Sequence, residues 1–397
     1  MRTFSVAERR ARLARRHFLS PHRSRTPLDA ITAALVGWHA TDPATPYLSL
    51  WARSPGFTIA DLDHELYQTR ALAKHLAMRR TLWVVRAVDL PIIQPAASDR
   101  VADNERRRLV SDVQKAGVAA DGDLWLNRAC ADVLDHLTVN GPATSSELRQ
   151  SLPSLAGMFD PAPGKRWGGA VPLAPRVLTV LSVRGDIMRG PNDAAWTSSR
   201  PRWAATGHWL AGNPEPVPAD QASAELVGGW LRAFGPATVA DIKWWFGNTA
   251  TWARRALTAV AAVEVDLHGA PGFVLPDDLD IEPEPEPWCA LLPGLDVTTM
   301  GWSERDWYLG AHRQRVFDAN GNAGPTAWCN GRVVGGWCQD AAARVHVQFT
   351  EDVGRDARQG LTVRAEELTA WLDGVRINPR FPSPLSKAGP TASAPAR

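Results

Sequence analysis

The 397-residue chain has four cysteines, Cys130, Cys289, Cys329 and Cys338, and none stand at CxxC spacing. Neither a thiolate metal site nor a disulfide framework is expected, and a reducing cytoplasm suits such a chain. No apolar run approaches the roughly 20 residues of a membrane helix, so a membrane partner is not expected. The first twenty residues are rich in arginine but lack an apolar secretory stretch. Val6, Arg10, Leu13 and Phe18 fit an ordinary first helix, and no targeting signal is read. A phosphate-binding glycine loop, a dinucleotide glycine pattern after a strand, GxSxG and HExxH are all missing. His17, His22, His64 and His75 are isolated, and surface or core placement explains them better than ligation. No cofactor and no metal are expected.

What is present is the composition of a globular protein long enough for two to four domains. The formal net charge is +2, but it is unevenly placed. Residues 1–120 hold 19 Lys and Arg against 11 Asp and Glu, so this segment is net +8 and the remainder net negative. A basic front on a nearly neutral protein points to a polyanion, with nucleic acid first. The alternative is a solvated helix face, with Arg9, Arg10, Arg12, Arg15 and Arg16 exposed.

The most informative stretch is Leu35 to Trp51, LVGWHATDPATPYLSLW. Leu28 to Gly37 has apolar residues near helical spacing. Asp42-Pro43 reads as an N-cap followed by a proline at the first helical position. Two helices would meet at an elbow that presents His39 and Thr41. Such a polar pair can do chemistry, or it can merely satisfy the backbone of the turn.

Further along, Thr58 to Met78 reads as a capped helix and Arg79 to Val85 as a strand behind a basic pair. Asp89 to Lys115 reads as a helix carrying the exposed run Arg106, Arg107 and Arg108. Then a tetrapeptide repeats. Gly141-Pro142-Ala143-Thr144 and Gly235-Pro236-Ala237-Thr238 are each followed, three positions after the threonine, by an acid, Glu147 or Asp241, and then by an aliphatic residue. Each threonine would cap a helix answered by that acid. Each copy follows a helix, Leu124 to Val139 or Ala222 to Phe234. A further helix and an extended pair come next. In the first copy the pair is Val177 to Val183 with Ile187 to Arg189. In the second it is Val263 to Leu267 with Phe273 to Leu275. Helix, capped helix, helix and hairpin is the winged helix-turn-helix order. Arg79, Arg80, Arg184 and Arg189 are candidate phosphate contacts. Lys165, Arg166 and Trp167 sit in a Gly/Pro-rich loop that would suit a nucleic-acid backbone or base, or serve packing alone.

Asp277 to Pro287, DDLDIEPEPEP, reads as a stiff acidic linker. Beyond it, Asn330-Gly331 marks a tight hairpin turn, Arg344 to Phe349 a strand, Glu366 to Leu372 a helix and Val375 to Ile377 a closing strand. A small β-barrel is expected, followed by a disordered tail.

GWHATDPATPYLSLWAR, MRRTLWVV, the GPAT pair, LLPGLDVTTMGW and GNAGPTAWCNGRVVGGW together resemble the bacterial winged helix DNA-binding family that includes the alkyl-DNA glycosylases of the AlkZ and YcaQ type. The resemblance spans about Glu8 to Pro384. It implies an α+β, mostly α fold: three tandem winged helix-turn-helix units in a C shape plus a C-terminal small β-barrel. The corresponding boundaries are 1–120 for the first winged helix with its N-terminal helix, 121–215 for the second and 216–276 for the third. The linker is 277–287, the barrel 288–385 and the tail 386–397. It further implies a monomer that is cytoplasmic, nucleoid-associated and bound to double-stranded DNA, and a metal-free excision of alkylated purines. In the family the elbow carries Gln-x-Gln or Gln-x-Asp to place the hydrolytic water. His39 and Thr41 occupy those positions here, and neither matches. Two readings follow. One is a duplex-DNA-binding protein with base excision lost or much reduced. The other is an active monofunctional glycosylase in which neutral His39, one donor and one acceptor, positions the water.

Overall fold

The two GPAT segments fold alike. Thr144 opens a helix at Ser145–Ser151 and Thr238 opens one at Val239–Phe246, each through a complete capping box. The Thr144 hydroxyl accepts from the Glu147 N–H at 3.2 Å while Glu147 accepts from the Thr144 N–H at 2.7 Å. Thr238 and Asp241 repeat this at 3.1 and 3.0 Å. Helices Gly122–Asn140 and Ala219–Phe234 precede the boxes, and Ala174–Val183 and Ala250–Ala259 follow them. Hairpins come next, Ile187–Asn192 with Pro201–Ala205 and Val263–Asp266 with Pro271–Val274. The alanine of each tetrapeptide exchanges two backbone hydrogen bonds with the returning strand, Ala143 with Trp203 and Ala237 with Phe273. The repeat is therefore one of three-dimensional units. One expectation fails within it: Val177 to Val183 is helical. Pro175 stands in that helix's first turn, and its residues are apolar on nearly every side. A buried helix of this kind has the same apolar run as a buried strand.

The model described is a computed structural model, and it describes residues 1–21, 25–162, 164–166, 168–212, 215 and 217–389. The fold is α+β, rich in helix, with small antiparallel sheets. It divides into two compact units, residues 63–223 and residues 1–62 with 224–397.

In the 63–223 unit the expected long helix stops at Gln68, and Leu72–Leu76 is a strand paired with Leu82–Arg86. Leu72 and Leu76 fit either period, and the pairing resolves the ambiguity. Asp99–Lys115, Gly122–Asn140 and Ala174–Val183 enclose a core that includes Leu109, Val113, Leu126, Val133, Leu178 and Leu181.

In the other unit, helix Val6–Arg16 starts at Ser5, whose side chain accepts from the Glu8 N–H. Of its arginines only Arg15 is exposed, and each has a partner within the chain. Arg12 and Arg16 both pair with Asp278, at 3.0 and 2.7 Å, and Arg15 pairs with Glu282 at 3.2 Å. Arg10 Nε donates to the Trp307 carbonyl at 3.0 Å, and Arg9 lies over the Trp307 ring. Burial lowers the Arg9 pKa to about 10. The basic run expected to meet a polyanion is thus satisfied within the chain, partly by the acidic segment taken for a bare linker. Residues 2–4 add a strand-like edge to the 263–274 hairpin, with the Phe4 N–H donating to Asp266 O at 2.9 Å. Phe4 packs there with Val265, Leu267 and Val274.

The C-terminal sheet is a four-stranded antiparallel meander, Cys289–Leu292, Thr326–Cys329, Arg332–Gln339 and Val345–Phe349, contacted by helix Arg355–Leu372. Among the described residues its first and last strands do not pair, so the closed barrel is not found. Asn330-Gly331 forms the hairpin tip, with φ of 48° and 77° and Cys329 opposite Arg332. Val375 to Ile377 is not a strand. The Gln339 side-chain amide takes a strand's place there, donating to Val375 O and accepting from the Ile377 N–H. The expected tail begins inside a short helix, Pro384–Lys387, and residues 390–397 lie outside those described.

Burial separates the two capping boxes energetically. Asp241 is fully buried, and its carboxylate also accepts from the N–H groups of Ser303 and Glu304 at 2.8 and 3.0 Å. Asp241→Ala strands several buried donors and is expected to cost about 3 kcal/mol. Glu147→Ala, at a solvated copy of the same box, should shift the urea midpoint far less. Equal shifts would show that burial is not what distinguishes them.

Candidate functional site: the elbow and the basic residues

Helix Leu28–Ala34 ends because Leu35 closes it and Val36 turns left-handed at φ 62°, followed by Gly37 at φ 123°, a value glycine tolerates. The chain then extends through Trp38 and His39. Trp38 is fully buried, and its indole N–H donates to the Thr32 hydroxyl at 2.8 Å, tying the extended segment to the helix before it. The second helix, Thr45–Trp51, starts later than the sequence implies. Asp42 is not its cap. The Asp42 carboxylate accepts from the Ala44 N–H at 3.1 Å and from the Arg380 N–H at 2.9 Å. Arg380 also reaches the Thr41 carbonyl. Burial raises the Asp42 pKa, against these two hydrogen bonds.

The elbow was expected to present His39, but that residue is only 3 % exposed, between buried Trp38 and Ala40. Its Nδ1 accepts, at 3.4 Å, from the Thr41 N–H. That contact is long, but it leaves Nε2 to carry the proton of the neutral ring. Thr41 is half-buried. The elbow is therefore present, with its histidine turned into the protein.

What holds the elbow in place was not legible from any one segment. Arg53, at the end of SLWAR, donates to both oxygens of Asp296, in LLPGLDVTT, at 2.9 and 2.7 Å. Ser49 Oγ donates to the same carboxylate at 2.6 Å, as does the Thr298 N–H at 2.9 Å. Thr45 Oγ1 donates to Gly294 O at 2.7 Å. Arg53 and Asp296 are fully buried in side chain. Desolvation pushes the Asp296 carboxyl up, but Arg53 and these donors outweigh it, and its pKa is lowered. Two motifs some 240 residues apart thus form one polar lock behind the second elbow helix.

The six basic candidates all lie in the 63–223 unit. Arg79 and Arg80 form the turn of the 72–86 hairpin, both left-handed. Arg80 is exposed and pairs with buried Glu105 at 2.6 Å. Arg184 is exposed and pairs with Asp186 at 3.0 Å. Arg189 stacks over the Trp203 ring at 4.5 Å. Lys165 and Arg166 are exposed, while Trp167 of the same expected loop lies outside the described residues, as does His22. Among the described residues no three His, Cys, Asp or Glu side chains are placed to hold a metal ion. No helix there is long and apolar enough to cross a membrane.

A buried elbow on an α+β scaffold with repeated capped-helix units defines a class, and the comparisons identify it. Residues 32–371 match the family model described as DNA glycosylase AlkZ-like, so the chain belongs to the AlkZ-like DNA glycosylase family. Among individual relatives, an interstrand DNA cross-link repair glycosylase of Streptomyces sahachiroi is 30 % identical over 171 residues. That alignment covers 41 % of this chain and 45 % of the relative, less than half of its length. The solved structure of the Streptomyces sahachiroi DNA glycosylase AlkZ is similar in fold, with a TM-score of 0.71 at 22 % identity. The match covers 96 % of this chain and 99 % of that one.

Proposed function

We propose that this protein is a duplex-DNA-binding member of the family, built of tandem winged helices, in which excision of alkylated bases is lost or much reduced. The observation that carries this reading is the elbow. His39 and Thr41 stand where the resemblance implies a water-placing Gln-x-Gln or Gln-x-Asp pair, and His39 is buried with Nδ1 turned toward the Thr41 N–H. Cleavage of a glycosidic bond to a cationic purine needs little leaving-group help. It needs a held water and charge complementary to the developing oxocarbenium ion. A buried imidazole and a short threonine hydroxyl supply no negative charge to that ion. Binding rests on Arg79, Arg80, Lys165, Arg166, Arg184 and Arg189, whose guanidinium and ammonium groups suit phosphates.

The test is incubation with duplex DNA carrying N7-methylguanine, followed by alkaline strand cleavage. Wild-type protein is expected to excise little, and the double variant His39→Gln with Thr41→Gln to gain excision. A wild type that is already active, and is silenced by His39→Ala, would establish the opposite reading, with His39 positioning the water. The relative's name makes cross-linked duplex a second substrate for the same assay. Separately, binding to undamaged duplex as a monomer should weaken on the order of tenfold or more between low and physiological salt, because phosphate contacts release counterions. A flat salt dependence would remove the DNA-binding assignment.

A further inference from the structure

Cys289 and Cys329 are 40 residues apart in sequence and carry no motif, yet the C-terminal sheet sets them face to face. Strand Cys289–Leu292 runs antiparallel to Thr326–Cys329 with Cys289 directly opposite Cys329. The Asn330 N–H donates to the Trp288 carbonyl at 3.1 Å. The hydrogen-bonded pair is therefore Trp288 with Asn330, and the cysteines form the adjacent non-hydrogen-bonded pair. At such positions facing Cα atoms stand about 4.5 Å apart, at the short end of the roughly 4.4–6.8 Å that a disulfide spans. The two thiols are in contact. They differ in access: Cys329 is buried, whereas Cys289 is partly exposed and lines a cavity of 820 Å³ with Trp288, Asn330, Arg355, Gly360 and Arg364. Gly360, on helix Arg355–Leu372, makes room for the sulfur; a Cβ there would lie 3.3 Å from Cys289 Sγ.

We infer that Cys289 and Cys329 are a modification site, a dithiol that a hydroperoxide converts reversibly into a cross-strand disulfide. With hydrogen peroxide, the Cys289 thiolate attacks one peroxide oxygen, the O–O bond breaks, and Cys289 becomes a sulfenic acid while hydroxide leaves and is protonated to water. Cys329 sulfur then attacks Cys289 sulfur. The S–S bond forms, the S–O bond breaks, and the departing hydroxide takes the Cys329 proton as a second water. Two thiols lose two electrons, and one peroxide gains them. The environment assigns the order. The contact between the two thiols, aided by the charge of Arg364, lowers the Cys289 pKa, and the same contact and burial raise that of Cys329. Cys289 is thus the reachable sulfur and the one of the two whose thiolate is favoured.

The test uses the full chain exposed to hydrogen peroxide and then digested without reductant. The free-thiol titre should fall from four to two, with one linked peptide pair joining Cys289 to Cys329, and a reductant should restore both thiols. In the Cys329→Ser variant a sulfenic acid at Cys289 should be trapped by dimedone, and in Cys289→Ser no disulfide should form. Retention of four thiols, linkage through Cys130 or Cys338, or progression of Cys289 to sulfinic acid in wild type would each overturn the inference. The wild-type result stands whether or not the variants fold, and it does not depend on base excision.

Discussion

Asp296→Ala is expected to lower folding stability of the 1–62 and 224–397 unit by about 3–5 kcal/mol, the range for removing one partner of a buried ion pair. The carboxylate receives both Nη groups of Arg53, the Ser49 hydroxyl and the Thr298 N–H. With it gone, a guanidinium fully out of water loses its counter-charge, and a hydroxyl and an N–H lose their acceptor. The remaining guanidinium bonds, to the carbonyls of His17 and Ser49 and to Thr298 Oγ1, are neutral and do not replace the charge. The double change Arg53→Met with Asp296→Leu should recover most of the loss, since it removes both charges together. Urea unfolding followed by tryptophan fluorescence measures both. A loss below about 1 kcal/mol for the single variant would mean that water reaches the pair and that the lock is not what fixes the elbow.

This lock also shows where sequence reading stops. The capping boxes, the GPAT repeat and the Asn330-Gly331 hairpin were legible because each is a local device, its donors and acceptors lying within a few residues. The elbow was legible for the same reason: Gly37 and the prolines at 43 and 46 punctuate the chain. Three elements were misread because a pattern served two periods or because its partner was remote. Leu72 to Leu76 looked helical until Leu82–Arg86 paired with it, and Val177 to Val183 looked extended because it is apolar on all sides. The N-terminal arginines looked available because Asp278 and Glu282, which neutralise them, lie some 260 residues away. Net charge over a segment therefore overstated the surface left for a polyanion. The candidate site was legible in position but not in orientation. Nothing in GWHATD distinguishes a histidine facing solvent from one that is buried and accepts from the Thr41 N–H. Arg380, which ties Asp42 and Thr41 to the C-terminal segment, carried no local signal at all.

Mild acid should destabilise each unit through a buried histidine, His17 in one and His75 in the other. His17, in the unit of residues 1–62 and 224–397, has its pKa lowered to about 3, first by burial and then by the charge of Arg53. Its Nε2 faces the Ala233 carbonyl, and its Nδ1 faces Thr298 Oγ1, which already accepts from Arg53 and so directs its own proton to the ring. That arrangement satisfies the neutral ring and leaves no acceptor for a second proton. His75, in the 63–223 unit, is lowered to about 4 by burial, against the opposing effect of the Gln94 side chain. Ser98 passes its hydroxyl proton to Leu76 O and accepts from His75 Nε2. Both folded pKa values lie below the unfolded value, about 6.5. Below that pH the unfolded chain binds protons that the fold refuses, so stability is complete above it and falls as pH drops. It stops falling only near the folded values. At about 1.4 kcal/mol per pH unit for each ring, descent from pH 6.5 to 5 should remove about 2 kcal/mol from each unit. The buried or paired carboxylates Asp296 and Asp278, whose pKa values are lowered, lose their contribution only under stronger acid, below the ordinary carboxylate range, and do not account for loss in this window. Urea midpoints measured from pH 7.5 to 5 should fall steadily below 6.5. His17→Gln should flatten the slope of the transition that reports the first unit and leave the other unchanged, and His75→Gln should do the reverse. Midpoints that stay level down to pH 5 would mean that both rings take up protons without unfolding, and that the hydrogen bonds drawn for their neutral forms are wrong.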